Sequence, residues 1–526
     1  MAEEKQSLLY KLKPLTDRMP AVRRPEGHVL FRTKIIWVIV ILLLYFALTN
    51  VWLYGLERAR IVDFFSSLRA ILAGQQGSLM HLGIGPIVTG SIIMQLFAGA
   101  KIIKLDLTKD EDKAVYQGTQ KLIVVIMIFV EAVPQVYGFL TPSTNFVANL
   151  NGVWGGHGEN LAQLLLILQL VAGSYLVFLM DEVVSKWGIG SGISLFIAAG
   201  VALQIFTGTF NWEPVTPGQA LSAQNPPAGT IPKTFYLLSV MPAGQIANGG
   251  LERILIQQPN PVVALVGTII IFFLVAYLES TRIELPLAHG QARGARGRYP
   301  IRLVYASNIP VILVAAVLAN VSMFSLLFWQ HPEWPLVGRQ WWIGSYLNPS
   351  QVTASQSAST PIAGLAWYTQ TINGPGQWLM PLVAPGYDTL LHGHNHSQLL
   401  VHLFVNLGLF IGGSILFSRF WIETTNMGPE AVAQQIERSG MQIPGFRRDP
   451  RVLRRVLARY IPVVTVIGGA TVGALAASAD MIGTVGNASG TGVLLTVGIM
   501  IQMYEAIGRE QMMEMHPILR SFFGVE

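Results

Sequence analysis

Runs of about twenty apolar residues recur along this chain with polar breaks between them, from IIWVIVILLLYFALTNVWLY near one end to GVLLTVGIMIQM near the other. A helix rising about 1.5 Å per residue crosses a hydrocarbon core of about 30 Å in such a run. Only 12% of the 526 residues are charged against 52% hydrophobic, and the mean hydropathy is +0.48. Soluble domains carry about 25% charged residues. The chain therefore reads as an all-α polytopic membrane protein, one membrane domain and not several soluble ones. Ten spans are expected, at about 35–54, 82–101, 121–140, 161–180, 190–207, 261–279, 303–327, 399–417, 461–479 and 490–508.

Basic residues orient the spans, because loops on the cytoplasmic side are enriched in Lys and Arg. With a cytoplasmic N-terminus, loop 2/3 places Lys101, Lys104, Lys109 and Lys113 inside. Loop 6/7 adds Arg282, Arg293, Arg296, Arg298 and Arg302, and loop 8/9 adds Arg447, Arg448, Arg451, Arg454, Arg455 and Arg459. The opposite side is nearly bare: no Lys or Arg lies between Gln135 and Asn160, and only Arg339 between His331 and Gln398. Arg58, Arg60 and Arg69 are exceptions. Both termini are thus expected in the cytoplasm, and the polar start MAEEKQSLLYKLKPL does not read as a cleavable signal peptide.

Ten spans divide as five plus five, and an odd number per half forces the halves into opposite orientations. The expected organisation is a cytoplasmic N-terminal amphipathic segment (1–34), an N-terminal half (35–210), an external loop (211–260), a C-terminal half (261–508) and a cytoplasmic tail (509–526). The C-terminal half holds a second long external loop, 330–397. NPPAGTIP and NGPGQW mark the external segments as irregular surface structure with some local helices. Between spans 1 and 2, Ile61, Phe64, Phe65, Leu68, Ile71 and Leu72 fall at helical spacing, a short amphipathic helix over about 61–73 that is too short to span.

Ionisable residues inside a membrane are expensive and therefore informative. Glu131 in FVEAVP sits near mid-span and should meet polar partners, with Thr89, Gln95 and Asn320 as candidates on other spans. Asp181, Glu182, Glu279 and Asp480 lie at span ends, where solvation at the interface accounts for them. His392, His394, His396 and His402 alternate like a metal cluster, but in a Gly/Asn-containing loop they read as a polar interface segment, and no metal is expected. GIGSGIS lacks the lysine of a phosphate loop, so close helix packing is the better reading and no enzyme is expected. Cysteine is absent, which removes thiolate chemistry. The basic loops are explained by topology alone or, in RIELPLAHGQARGARGRYPIR, by a flexible finger meeting a polyanion such as ribosomal RNA.

The stretches LGIGPIVTGSIIMQL, FVEAV, DEVVSKWGIGSGISLFIAAG, RIELPLAHG, YPIRLVYASNIPVIL, FWIETT and SGTGVLLTVGI with its downstream MYE closely resemble the SecY family, the alpha subunit of the Sec protein-conducting channel, in its archaeal form. They cover every span but the first, in family order. The external segments are longer than the family leads one to expect.

This resemblance implies two inverted five-helix halves around a central hourglass pore, with the short helix near 61–73 as its plug. It implies a constricting ring of Ile84, Val88, Ile193, Ile197, Ile312 and Leu495, and a lateral gate between spans 2/3 and 7/8 carrying the polar cluster Thr89, Glu131 and Asn320. Ribosome docking falls to Arg293, Arg296 and Arg447. Further implied partners are small gamma (SecE) and beta subunits, the signal recognition particle pathway, a translocating polypeptide with its signal sequence, and membrane lipid. No cofactor is implied. The rival reading is a secondary transporter with inverted five-helix repeats, but mid-membrane coupling groups beyond Glu131 are scarce.

Overall fold

The structure, a computed structural model, describes residues 8–27, 29–57, 72–99, 102–103, 105, 109–138, 140–154, 156–216, 218–289, 296–303, 309–333, 338–346, 361–383, 391, 393–425, 427–438, 441–442, 450–486 and 488–515. A helix coincides with every apolar run: Phe31–Thr49, Gly85–Gly99, Asp110–Gly138, Gly158–Trp187, Gly192–Phe210, Val262–Ser280, Ile309–Gln330, His396–Thr424, Pro450–Ile482 and Gly490–Met515, here spans 1 to 10. Nine helices among the described residues are long and apolar enough to cross a membrane, and Gly85–Gly99 is shorter. All ten contribute to one large apolar cluster.

Span 2 begins three residues later than its apolar run. Gly83 adopts φ +55°, and a Cβ there would strike the backbone of Leu72 and Ala73. The Ile84 N–H donates to the Leu72 carbonyl at 2.8 Å, so the chain leaving the 61–73 region is folded against the start of the span. Pro86 then sits in the first helical turn, where its missing N–H has no intrahelical partner to lose.

Loop 6/7 is not a flexible finger. Strands β1 (Arg282–His289) and β2 (Arg296–Arg302) pair antiparallel in a register running from Arg282 opposite Arg302 to Ala288 opposite Arg296. Between spans 7 and 8, β3 (Ser345–Tyr346) pairs with β4 (Pro361–Ala363). Strand β5 (Met441–Gln442), from loop 8/9, joins β1 through Ala288 and His289. The two basic loops therefore share one sheet, ordered β2-β1-β5. Ile301 of β2 is buried with Ile422, Val432, Ile436, Leu453 and Leu457 against the ends of spans 8 and 9. Arg302 and Arg282 both reach the Glu505 carboxylate of span 10.

Three of the four span-end carboxylates are buried, and Asp181 is partly exposed. Glu182 is buried, ion-paired to Lys121 and to Lys186, and it accepts the Val22 N–H at 2.8 Å. Lys186 donates back to the Val22 carbonyl and the Trp187 indole to the Arg23 carbonyl, so the N-terminal segment is pinned across span 4. Glu279 and Asp480 are buried as well. The histidines at the head of span 8 are occupied as N–H donors to carbonyls: His394 to Ile362, His396 to Pro381 and His402 to Gln370. His394 also stacks on Trp367 with centroids 3.9 Å apart, and His392 lies outside the described residues.

Candidate functional site

Ile84, Val88, Ile197, Ile312 and Leu495 are buried in the same apolar cluster, with Ile193 packed against it. Their placement repeats between the halves. Val88 stands two residues after Pro86 in span 2, and Ile312 stands two residues after Pro310 in span 7. Ile197 follows Ser191–Gly192 at the head of span 5 by the interval at which Leu495 follows Ser489–Gly490 at the head of span 10. The two halves thus share these two local patterns at the ring positions.

Two aspartates hold these helix heads. The Asp181 Oδ1, at the end of span 4, accepts the Ile193 N–H at 2.9 Å. The Asp480 Oδ1, in span 9, accepts the Thr491 N–H at 3.0 Å, while its Oδ2 accepts the Thr491 hydroxyl at 2.6 Å. A helix start leaves N–H groups unpaired, and a carboxylate from the preceding helix satisfies them and fixes the helix along its axis. A Cβ at Gly192 would meet Asp181 Cα at 2.6 Å, and one at Gly490 would strike the Ala479 backbone, so both heads need glycine for this approach.

Beside the ring, Thr89, Glu131 and Asn320 form one hydrogen-bonded seam. The Thr89 hydroxyl donates to Glu131 Oε1 at 2.8 Å, and Thr89 Oγ1 accepts from Asn320 Nδ2 at 3.2 Å. Glu131 is buried, and a Cβ at Gly85 would lie 2.9 Å from its Oε2, so the glycine makes room for the carboxylate. The bonds join spans 2, 3 and 7. Gln95 is not part of the seam; it is buried elsewhere on span 2 with its Oε1 unpaired.

A further polar chain lies toward residues 72–81, and the sequence reading missed it. The Gly77 N–H donates to His81 Nδ1 at 3.0 Å, which leaves the proton on Nε2 to donate to Gln135 Oε1 at 3.2 Å. Gln135 Nε2 in turn reaches Met323 Sδ of span 7 at 3.4 Å. Leu72, Gly74, His81, Glu131, Gln135 and Asn320 line one small cavity between the seam and the region leading from 61–73. The signal available was Gln135 itself, one helical turn beyond Glu131. On the facing side of that region Tyr45 stacks on Phe196 and donates to the Ala73 carbonyl at 2.8 Å.

Of the residues read as plug, Leu72 is described, whereas Ile61, Phe64, Phe65, Leu68 and Ile71 lie outside the described residues. Arg293 and Arg447 lie outside them too, and Arg296 is placed only by its backbone, at the start of β2.

Comparison with known proteins decides what kind of molecule carries this arrangement. Residues 78–504 match the family model described as SecY. The chain belongs to the SecY family. Residues 43–77 match a second family model, described as the plug domain of Sec61p. Among SecY relatives, a protein translocase subunit SecY of Archaeoglobus fulgidus is 44% identical over 522 residues, covering 99% of each chain. The solved structure called "The structure of a protein conducting channel" shares 35% identity and a TM-score of 0.72, over 96% of this chain and 98% of that one. Sec61 in the canine ribosome-channel complex from the endoplasmic reticulum shares 35% identity and a TM-score of 0.69 over the same fractions. This SecY-family chain is a multi-pass membrane protein with the all-helical architecture of those channels.

Proposed function

We propose that the chain is the pore-forming subunit of a Sec protein-conducting channel, passing secretory proteins across the cytoplasmic membrane and releasing membrane segments sideways into lipid. The observation that carries this reading is a buried hydrogen-bonded seam beside an all-aliphatic ring, at the junction of two inverted halves. Ile84, Val88, Ile193, Ile197, Ile312 and Leu495 form the constriction. Aliphatic side chains yield around a moving polypeptide without offering it a hydrogen bond or charge, and a narrow apolar constriction resists wetting. Residues 61–73 close the outer funnel as the plug.

Thr89, Glu131 and Asn320 give the gate two discrete states, satisfied when spans 2/3 and 7/8 are together and unpaired when they part. A hydrophobic signal sequence favours the parted state by covering the seam. The chain's role is conduction and not chemistry, and the driving force comes from a partner. Small gamma (SecE) and beta subunits complete the complex, with both termini in the cytoplasm. Arg293, Arg296 and Arg447, from the two basic loops that share the β2-β1-β5 sheet, dock the ribosome, reached through the signal recognition particle pathway. Inverted-repeat transport of a small solute is not favoured.

Replacing Glu131 or Asn320 with leucine and assaying translocation in reconstituted vesicles tests the seam. The hydrophobicity that a signal sequence needs for entry should shift. Unchanged selectivity in both variants would remove the seam from the mechanism.

A further inference from the structure

From Pro214 to Leu251, outside spans 5 and 6, the sequence contains one charged residue, Lys233. That residue is 2% exposed, with Nζ donating to the carbonyls of Gln257 at 2.8 Å and Pro259 at 2.9 Å. The segment therefore turns no charge outward. Helix Thr230–Val240 buries Thr230, Pro232, Lys233 and Leu237 on one side, while Phe235 is 67% and Leu238 51% exposed on the other. The uncharged stretch ends at helix Leu251–Leu255, where the exposed Leu251 and Leu255 stand beside Glu252 and Arg253.

The unit is tied down at several points. The Gly229 N–H donates to the Asn211 carbonyl, Asn260 Nδ2 donates to the Ala228 carbonyl, and Asn260 Oδ1 accepts the Gly486 N–H at 2.7 Å. It is also continuous with a lipid-facing surface, since Leu203, Phe206 and Phe210 are exposed along span 5 up to Trp212, itself 61% exposed. Tryptophan is enriched where a span meets the headgroups.

We propose that the Phe235/Leu238 face seats in the headgroup–acyl boundary of the external leaflet, so that the only covalent link between the two halves rests on lipid. An exposed apolar patch without charges suits that boundary and not water. With no cationic side chain on the face, its seating requires no anionic lipid. This inference depends on the chain spanning a membrane and is independent of the pore.

The chain has no cysteine, so single Phe235→Cys, Leu238→Cys and Phe206→Cys variants accept one environment-sensitive fluorophore each. In the intact complex, in vesicles of zwitterionic lipid, labels at 235 and 238 should be quenched about twofold more by a headgroup-level nitroxide lipid than by one at the bilayer centre, and hardly by aqueous iodide. Iodide quenching equal to that of the free dye–cysteine adduct places the face in water and overturns the proposal. Protection from both quenchers means a protein subunit covers the face and overturns it as well. The Phe206 label must be quenched by lipid if the chain spans the membrane, which separates failure of this inference from failure of the membrane reading.

Discussion

The heads of spans 5 and 10 use one device at opposite faces of the membrane, in surroundings that are not equally dry. Asp181 closes on Ile193 beside the Glu182–Lys121–Lys186 cluster and the N-terminal segment, and is itself partly exposed. Asp480 is 2% exposed and gives each oxygen its own donor, the Thr491 N–H and the Thr491 hydroxyl. Near water, a lost cap is replaced by solvent; in the dry interior every polar atom must be paired by the protein. The pairing is alike, since Asp181 also accepts from the Gly192 N–H and the Ser185 hydroxyl; what differs is the burial around it.

The largest effect should come from breaking the deeper cap. Asp480→Ala strands two buried donors and should destabilise the complex by about 3 kcal/mol, whereas Asp181→Ala, with water at hand, should cost about 1 kcal/mol. Thermal unfolding in nanodiscs gives both values, and equal losses would break the comparison. Restoring the acceptor with Asp480→Asn should recover about half the loss.

A smaller effect is expected where the second polar chain crosses from span 3 to span 7. Gln135→Leu removes its contact to the Met323 sulfur, a weak acceptor, and should shift the signal-sequence threshold less than Glu131→Leu does. A larger shift for Gln135→Leu would move the main latch to that chain.

The smallest effect is a pH slope. Burial, reinforced by the charge of nearby Arg253, lowers the Lys233 pKa from 10.5 to about 8. Below pH 8 both folded and unfolded chains carry the proton; between 8 and 10.5 the unfolded chain binds it more strongly, so stability should rise with pH across that window. Melting curves at both ends of the window should show the rise in the native protein and its loss in Lys233→Met.

Most of the fold was legible because lipid permits few alternatives: an apolar run of the right length has to be a helix, and basic loops set its direction. The Glu131 seam was legible for the same reason, since a mid-membrane carboxyl needs partners. Gln95 failed as a partner because six positions at about 100° each carry it about 120° away from the Thr89 face. The strands of loop 6/7 were hidden by their arginines and glycines, although Arg282-Ile283-Glu284-Leu285 alternates with the period of a strand. The aspartate caps were illegible as caps because each reaches across a loop to the next helix. Their trace is a spacing, Asp181 ten residues ahead of Ser191 and Asp480 nine ahead of Ser489. That trace acquires meaning only once the halves are superposed.

The central claim is that a polypeptide passes between the halves through the aliphatic ring. A secretory chain stalled in the reconstituted complex, with a photocrosslinker placed in turn at Ile193, Ile312 and Leu495 and at the lipid-facing Leu43 of span 1, tests it most directly. Crosslinks at the three ring positions from both halves, and none at Leu43, are the predicted result. Crosslinks confined to one half, or equal at Leu43, would contradict the account.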